Sequence, residues 1–259
     1  MRKILIFITL MGFIFLGCKP SKKEPAQSGA YKLEKLTVSG GGKDSVYART
    51  QVKIYTDTHF IYASLAPDSS VGFGVGAYKL DTGNRIIEYN LFSSRALDST
   101  QTFNLAVTKK DSGYTQVLPM ASASGVKYTV TEVYTKLPAS SVSKLDGLWK
   151  LDAAYTVTGK DSVKQNETQF KAFWGGHFMF VHRYPIDKLG TKFKNGFGYG
   201  DFTFKNDTIS EEDQISSHAL LLNRTFAVAI KFDSDDQYRQ VISDPKTNSQ
   251  SVEIYRRVR

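Results

Sequence analysis

The strongest constraint on this chain of 259 residues is that it repeats itself. The stretch TQVKIYTDTHFIYA, Thr50 to Ala63, returns 118 positions later as TQFKAFWGGHFMFV, Thr168 to Val181. Four further pairs keep the same order: GAYKL (Gly29 to Leu33) with GLWKL (Gly147 to Leu151), KDSV (Lys43 to Val46) with KDSV (Lys160 to Val163), GFGVG (Gly72 to Gly76) with GFGYG (Gly196 to Gly200), and TEVYTKL (Thr131 to Leu137) with VEIYRRV (Val252 to Val258). The offset drifts only between about 117 and 124, as changes in loop length would make it do. Internal repetition of this kind decides the architecture before any local argument does. The chain is expected to hold two copies of one unit, 29–140 and 146–259, joined near PASSVSKLD (Pro138 to Asp146).

Within each copy apolar and polar residues alternate with period two, and Val, Ile, Tyr, Phe and Thr dominate the alternating segments. The first copy predicts strands near 30–38, 48–56, 58–65, 71–80, 85–92, 101–109, 114–119 and 127–136. Between them SGGGKD, APDSS, LDTGN, RALDS, KKDSG and ASASG supply the Gly, Asp, Asn and Ser that tight turns require. The second copy repeats the pattern, with FKNDT (Phe204 to Thr208) and FDSDD (Phe232 to Asp236) in two of the turn positions. No segment carries a helical stripe. Eight sequential antiparallel strands close most simply into an up-and-down barrel, which leaves no exposed edge. The predicted fold class is therefore all-β, with two antiparallel barrels in tandem.

The N-terminus carries processing information. Arg2 and Lys3 precede an apolar run from Ile4 to Leu16 that is shorter than the roughly 20 residues a spanning helix needs. That order is the order of a secretory signal, here residues 1–17. Gly17 followed by Cys18, the chain's single cysteine, resembles the bacterial lipobox. The resemblance implies cleavage before Cys18, acylation of its thiol, and tethering to a membrane of the cell envelope, the outer membrane of a Gram-negative organism. Each buried acyl methylene contributes about 0.8 kcal/mol. With that thiol acylated no disulfide can form, so burial and hydrogen bonding must hold the fold. KPSKKEPAQS, Lys19 to Ser28, completes a polar segment, 18–28, expected to be a flexible stalk.

Charge narrows the partners. Lys and Arg number 34 against 25 Asp and Glu, but two basic residues fall in the signal, and three basic and one acidic residue fall in the stalk. The folded part thus carries about +5, with both signs interspersed, which argues against nucleic acid as a partner. The stalk lysines are placed to meet anionic head groups.

Gly147 and Trp149 near the first strand of the second copy, with Arg256 or Arg257 ending its last strand, resemble the lipocalin pattern; Gly29, Tyr31 and Lys136 are the weaker counterparts in the first copy. Each unit is also similar to the short lipocalin-like domains of exported bacterial lipoproteins, through THF (Thr58 to Phe60), GHF (Gly176 to Phe178) and the closing EVY or EIY. The resemblance implies that the basic side chain covers the aromatic ring at the closed end of the barrel, a structural contact worth about 0.5–2 kcal/mol. It also implies a ligand-carrying role.

Catalytic chemistry finds little footing in the sequence. Gly72, Gly74 and Gly76, like Gly196, Gly198 and Gly200, fall on one face of a strand and lack the Lys-Ser/Thr and helix of a phosphate loop. His59 and His177 occupy equivalent positions, either as ligand-contacting imidazoles or as strand-start residues making local hydrogen bonds; no partner at ligand spacing marks a metal site. His182 and His218 have no counterparts in the first copy and are expected at the surface. No thiol or Gly-x-Ser-x-Gly elbow offers a nucleophile, and Glu132 and Glu253 read as cross-strand partners for Lys or Arg. No cofactor is implied. DSV at Asp44 and Asp161 resembles a short O-glycosylation acceptor, making Ser45 and Ser162 candidate modification sites on accessible loops.

The expected function is a membrane-anchored, non-enzymatic binding module for a small apolar or amphipathic molecule, with Phe60, Tyr62 and His59 in the first copy and Trp174, His177, Phe178 and Phe180 in the second as candidate pocket residues. The alternative is an envelope interaction protein with filled barrels that docks a protein or glycan. Aromatic residues on both faces of the repeated strands further predict that the two units bury a seam against each other. An open, apolar cavity of roughly 300 Å³ or more favours the binding module, and a packed interior overturns it.

Overall fold

A computed structural model describes residues 27–95, 101–122, 124–140, 142–187, 189–244 and 247–259. The signal, Cys18 and most of the stalk lie outside the described residues.

The first half forms β1 (Gly29–Gly40), β2 (Lys43–Tyr47), β3 (Thr50–Tyr55), β4 (His59–Leu65), β5 (Val71–Asp81), β6 (Arg85–Ser93), β7 (Thr102–Lys110), β8 (Gly113–Ala121) and β9 (Lys127–Lys136). The second half repeats it as β10 (Gly147–Thr158), β11 (Asp161–Lys164), β12 (Thr168–Trp174), β13 (His177–Pro185), β14 (Phe193–Lys205), β15 (Thr208–Ser216), β16 (Thr225–Ser234), β17 (Gln237–Asp244) and β18 (Ser249–Arg257). Every pairing is antiparallel between sequence neighbours, except that β1 skips β2 to reach β3 and closes on β9, and β10 skips β11 to reach β12 and closes on β18. Each half is thus a closed barrel of eight strands with a ninth folded back on its first strand, and the described residues include no helix.

The ninth strands are where the sequence reading falls short. SGGGKD predicts a loop, yet its turn is confined to Gly41 and Gly42, both at positive φ, and the chain returns along β1 as β2. Ser45 and Ser162 consequently lie on exposed strands of these ribbons and not on loops. The stalk also ends earlier than expected: Gln27 and Ser28 are buried, and the Gln27 carbonyl accepts a hydrogen bond from Tyr31 Oη at 3.0 Å.

Inward and outward side chains alternate along the strands except at bulges such as Leu33/Lys35 and Leu151/Ala153, so each barrel has its own core. Tyr31, Leu36, Tyr55, Phe60, Ile86, Tyr114 and Tyr134 fill the first, and Trp149, Phe173, Phe178, Ile209, Tyr238 and Tyr255 fill the second. The opposite faces of the repeated motif form a third cluster that joins the halves. Ala30, Val52, Ile54, Ile61, Ala63, Phe73 and Val75 pack with Leu148, Phe170, Ala172, Met179, Val181, Phe197 and Tyr199, the equivalent positions of the second copy. The same patch used by both partners makes the seam isologous, as in a two-fold homodimer. Phe92 meets Phe170 at 5.5 Å between ring centroids, and Arg183 Nη2 donates to the Ser93 carbonyl at 2.8 Å. Val and Ile on both faces are therefore what a barrel requires when one of its walls is shared.

Candidate functional site

Each barrel is sealed at one end. In the second, the Arg257 guanidinium lies 4.1 Å above the Trp149 ring and donates to the carbonyls of Asp146 (2.7 Å), Lys144 (2.8 Å) and Asp235 (3.2 Å). Arg256 faces outward to Asp152. Trp149 Nε1 donates to the Leu145 carbonyl at 2.7 Å, the counterpart of the Tyr31–Gln27 bond. Gly147 is forced here twice over: its φ is +135°, and a Cβ would sit 2.6 Å from Arg257 Nη1. In the first barrel Lys136 pairs in register with Tyr31, and its Cε would lie 2.8 Å from a Cβ at Gly29.

Above the seal both barrels carry the same polar layers. Lys53 Nζ contacts Glu88 Oε1 at 2.5 Å, and Lys171 Nζ contacts Glu211 Oε1 at 2.5 Å; all four residues are buried. The ammonium groups lie within 5.3 Å of the ring centroids of Tyr55 and Phe60 in the first barrel, and within 5.5 Å of Phe173 and Phe178 in the second. Such a pair is held by ion pairing, hydrogen bonding and the aromatic faces together, because the desolvation of two charges offsets most of their mutual attraction. One layer higher, Gln51, Gln116 and Tyr134 converge on Glu132, and Gln240 and Tyr255 converge on Glu253 while Gln169 bonds Tyr255. Glu132 and Glu253 are therefore centres of buried networks across several strands, with Gln and Tyr as hydrogen-bond partners where the sequence suggests Lys or Arg.

Above these layers the barrels differ. Phe60, Tyr62, Arg49, Asn90 and Phe103 line a space of about 120 Å³ over the first network, and a separate space of about 830 Å³ lies beyond Phe103 and Leu118, along β7, β8 and β9. In the second barrel about 410 Å³ stays open, lined by Phe180, Phe226, Leu220, Leu221, Val228 and Ile242 on the apolar side, and by Glu167, His182, Glu211, Asp213, His218, Gln240 and Glu253 on the polar side. Two features that open the space recur in the first barrel, at Gly72 and Gly74 and where β7 and β8 part beyond Ala106↔Val117, and one is its own. Gly196 and Gly198 put no side chain into the wall, where a Cβ would collide with His182, His218, Phe180 or Asp213. Register pairing between β16 and β17 runs only from Ala229↔Val241 to Ser234↔Gln237, so the strands part beside Phe226 and Ile242. Finally, Phe180 replaces Tyr62.

The cavity's electrostatics are set by burial. Burial, then the neighbouring Glu211, pushes the Asp213 carboxyl up to about 7 against the pull of Lys171. Glu253 is likewise raised by burial. His218 is lowered, first by burial and then by His182 and Lys194. His182 Nε2 and His218 Nε2 are 2.8 Å apart, and His182 Nδ1 is 3.3 Å from Glu167 Oε2. One ring nitrogen of the pair must donate and the other accept. Two acceptors in the lining have no partner among the described residues: Asp213 Oδ1 and Gln240 Oε1. No three His, Cys, Asp or Glu side chains among the described residues are placed to hold a metal ion.

The candidate pocket residues scatter. Phe180 lines the open cavity, and Phe60 and Tyr62 line the small one. Phe178 is buried in the core beneath, and Trp174 packs on the seam, outside either pocket. His59 and His177 begin strands away from the cavities. His59 Nδ1 lies 2.9 Å from Thr58 Oγ1, and His177 reaches the Pro138 carbonyl (2.9 Å) and Asp201 Oδ1 (2.7 Å), fastening the segment between barrels. Conversely, His182 and His218, expected at the surface, line the cavity. The signal that could have found them is that they appear only in the second copy.

No family model matches the chain, and no curated protein matches it. Among solved structures, one similar chain is a protein of unknown function of the DUF3598 family from Nostoc punctiforme PCC 73102, at 10% identity over 89% of this chain and 96% of that one, with a TM-score of 0.27. Another is the isotype 1 transferrin binding protein B of serogroup B Neisseria meningitidis, at 8% identity over 90% of this chain and 77% of that one, with a TM-score of 0.19. At such scores neither likeness carries a functional argument.

Proposed function

We propose that the chain is a non-enzymatic binding module, anchored through acylated Cys18 in the cell envelope, whose second barrel holds a small amphipathic molecule while the first acts as its rigid partner. The observation that carries the reading is the contrast between about 410 Å³ in one barrel and about 120 Å³ in the other, built on the same buried layers. Ligand pockets run from about 300 to 1,000 Å³; the first barrel also has a space of about 830 Å³ beside β7, β8 and β9, but its lining includes none of the buried Lys, Glu and Gln of the polar layers, whereas the second barrel's space lies directly over them. Its lining joins an apolar wall to a polar floor, which matches an amphipathic guest better than a wholly apolar one.

Native mass spectrometry of the delipidated protein, purified from its own envelope, tests the reading. The expected result is a co-purifying small molecule, or an adduct after incubation with an amphiphile. A clean unliganded mass in both cases would overturn it in favour of an interaction protein.

A further inference from the structure

We infer that the guest of the second barrel is an organic cation: an amphiphile whose protonated amine binds Asp213 and whose apolar part lies against Phe180, Phe226, Leu221 and Ile242. The inference rests on the binding-module reading and adds to it the chemistry of the head group.

Three observations converge. First, the lining holds two unpartnered acceptors among the described residues, Asp213 Oδ1 and Gln240 Oε1; Gln240 Oε1 has its counterpart in Gln116 Oε1 of the first barrel, so the acceptor peculiar to the second barrel is Asp213 Oδ1, on a residue 3% exposed, and its missing partner is a donor. The Gln240 amide cannot simply be turned over, because its Nε2 already donates to Glu253 Oε2 at 2.8 Å. Leaving such acceptors buried and unmet is costly, and an ammonium offers three N–H donors in a compact head. Second, the charges are unbalanced. Glu167, Glu211, Asp213 and Glu253 face the cavity against Lys171, whose ammonium is already engaged by Glu211 and by the Phe173 and Phe178 rings, and against the His182–His218 pair, of which at least one ring is neutral. A carboxylate or phosphate guest would enter a space already lined with carboxylates, whereas an ammonium would relieve their repulsion.

Third, the twin barrel serves as an internal control. Register equates Gly76↔Asn90 with Gly200↔Asp213, and Ser64↔Gly72 with His182↔Gly196; Arg49 and Glu167 immediately precede the equivalent strands β3 and β12. The Gln, Lys, Glu, Gln, Glu and Tyr of the lower layers are the same in both copies: 51, 53, 88, 116, 132 and 134 against 169, 171, 211, 240, 253 and 255. At the mouth, Arg49 gives way to Glu167 and Asn90 to Asp213. Both exchanges move the second barrel towards a cation, and they occur where the open volume is. The upward pull on the Asp213 carboxyl supports the same conclusion, because a buried carboxylate lacking a cation is the group a bound ammonium would stabilise in its ionised form.

Isothermal titration of the delipidated full chain at pH 8 with n-octylamine, octan-1-ol and octanoate, which share one alkyl chain and differ in the head, separates the possibilities. Octylamine is expected to bind at least about tenfold more tightly than octanol, and octanoate most weakly. Asp213→Asn, which installs the amide that Asn90 already provides in the twin, should abolish the preference for the amine and leave octanol affinity within about twofold; Glu167→Gln should reduce the preference by a smaller factor. Equal binding of amine and alcohol, or preference for octanoate, would overturn the cation inference while leaving the binding module standing. Failure of all three to bind would overturn both.

Discussion

His182 Nε2 meets His218 Nε2 at 2.8 Å across the mouth of the second barrel, so at least one of the two rings must be neutral for the hydrogen bond to exist. Burial is the largest cause holding His218 below the usual histidine value, with His182 and Lys194 adding to it. The sign follows. A base depressed in the folded state contributes stability that is complete above its unfolded value, about 6.5, and is lost as pH falls through the folded one. Titration of the ring carbons by NMR should show His218 with a midpoint below 6.5, and the wild type should lose more thermal stability between pH 7 and pH 5 than His218→Gln does. A midpoint above 6.5 would show that the pair is held as a charged contact to Glu167 instead.

Asp213 behaves in the opposite sense. Its carboxyl is raised from 3.8 to about 7, first by burial and then by Glu211, with Lys171 opposing; Glu167, His182, His218 and Glu253 line the same cavity. An acid raised on folding contributes stability that is present below its unfolded value and lost as pH rises through the folded one. Asp213→Asn should therefore raise the melting temperature at pH 8 and change it little at pH 4. Octylamine affinity of the wild type should rise from pH 6 to pH 8 as the carboxylate forms. A flat profile in both measurements would place the ionised carboxylate in contact with a compensating cation even without ligand.

At the sealed end, the Arg257 fork reaches three carbonyls while its plane covers Trp149. A lysine ammonium is a point charge and cannot reproduce that geometry. Arg257→Lys should lower the free energy of unfolding by about 1.5–3 kcal/mol, the range for hydrogen bonds to charged groups, in urea titrations of the full chain. Arg256→Lys, at an exposed pair with Asp152, should cost no more than about 0.5 kcal/mol.

What the sequence made legible was whatever has a period. Alternation every second residue located the strands, and repetition equated His59 with His177 and Gly74 with Gly198. Periodicity could not tell inside from outside on β3, β4, β12 and β13, because the seam covers their outer faces with residues as apolar as those of the core, from Val52 to Met179. Trp174 and Phe178 therefore read as pocket residues although one lies on the seam and the other below the cavity. Symmetry also directed attention to the paired histidines, whereas the cavity is made by unpaired differences: Glu167, His182, Asp213 and His218. Those residues lie on or beside β12, β13 and β15, which the sequential antiparallel hairpins bring side by side.

The seam supplies the last expectation. Ala172 is fully buried there, in the cluster that includes Ile54 and Phe170, and no basic residue belongs to that cluster. An isologous apolar seam couples the unfolding of its two halves, so the wild-type chain should melt calorimetrically in a single transition. Ala172→Glu places a carboxylate in the seam without a cation, at a cost of several kcal/mol unless the barrels separate to hydrate it. Separation would leave both eight-stranded closures intact, because the β12 ladder to β10 and β13 does not depend on the outward side chain. The variant should therefore melt in two transitions, the lower one well below the wild type, while Val163→Glu on the exposed ribbon β11 keeps the single wild-type transition. Two transitions already present in the wild type would show that the barrels are coupled only weakly, and that the seam positions them without sharing their stability.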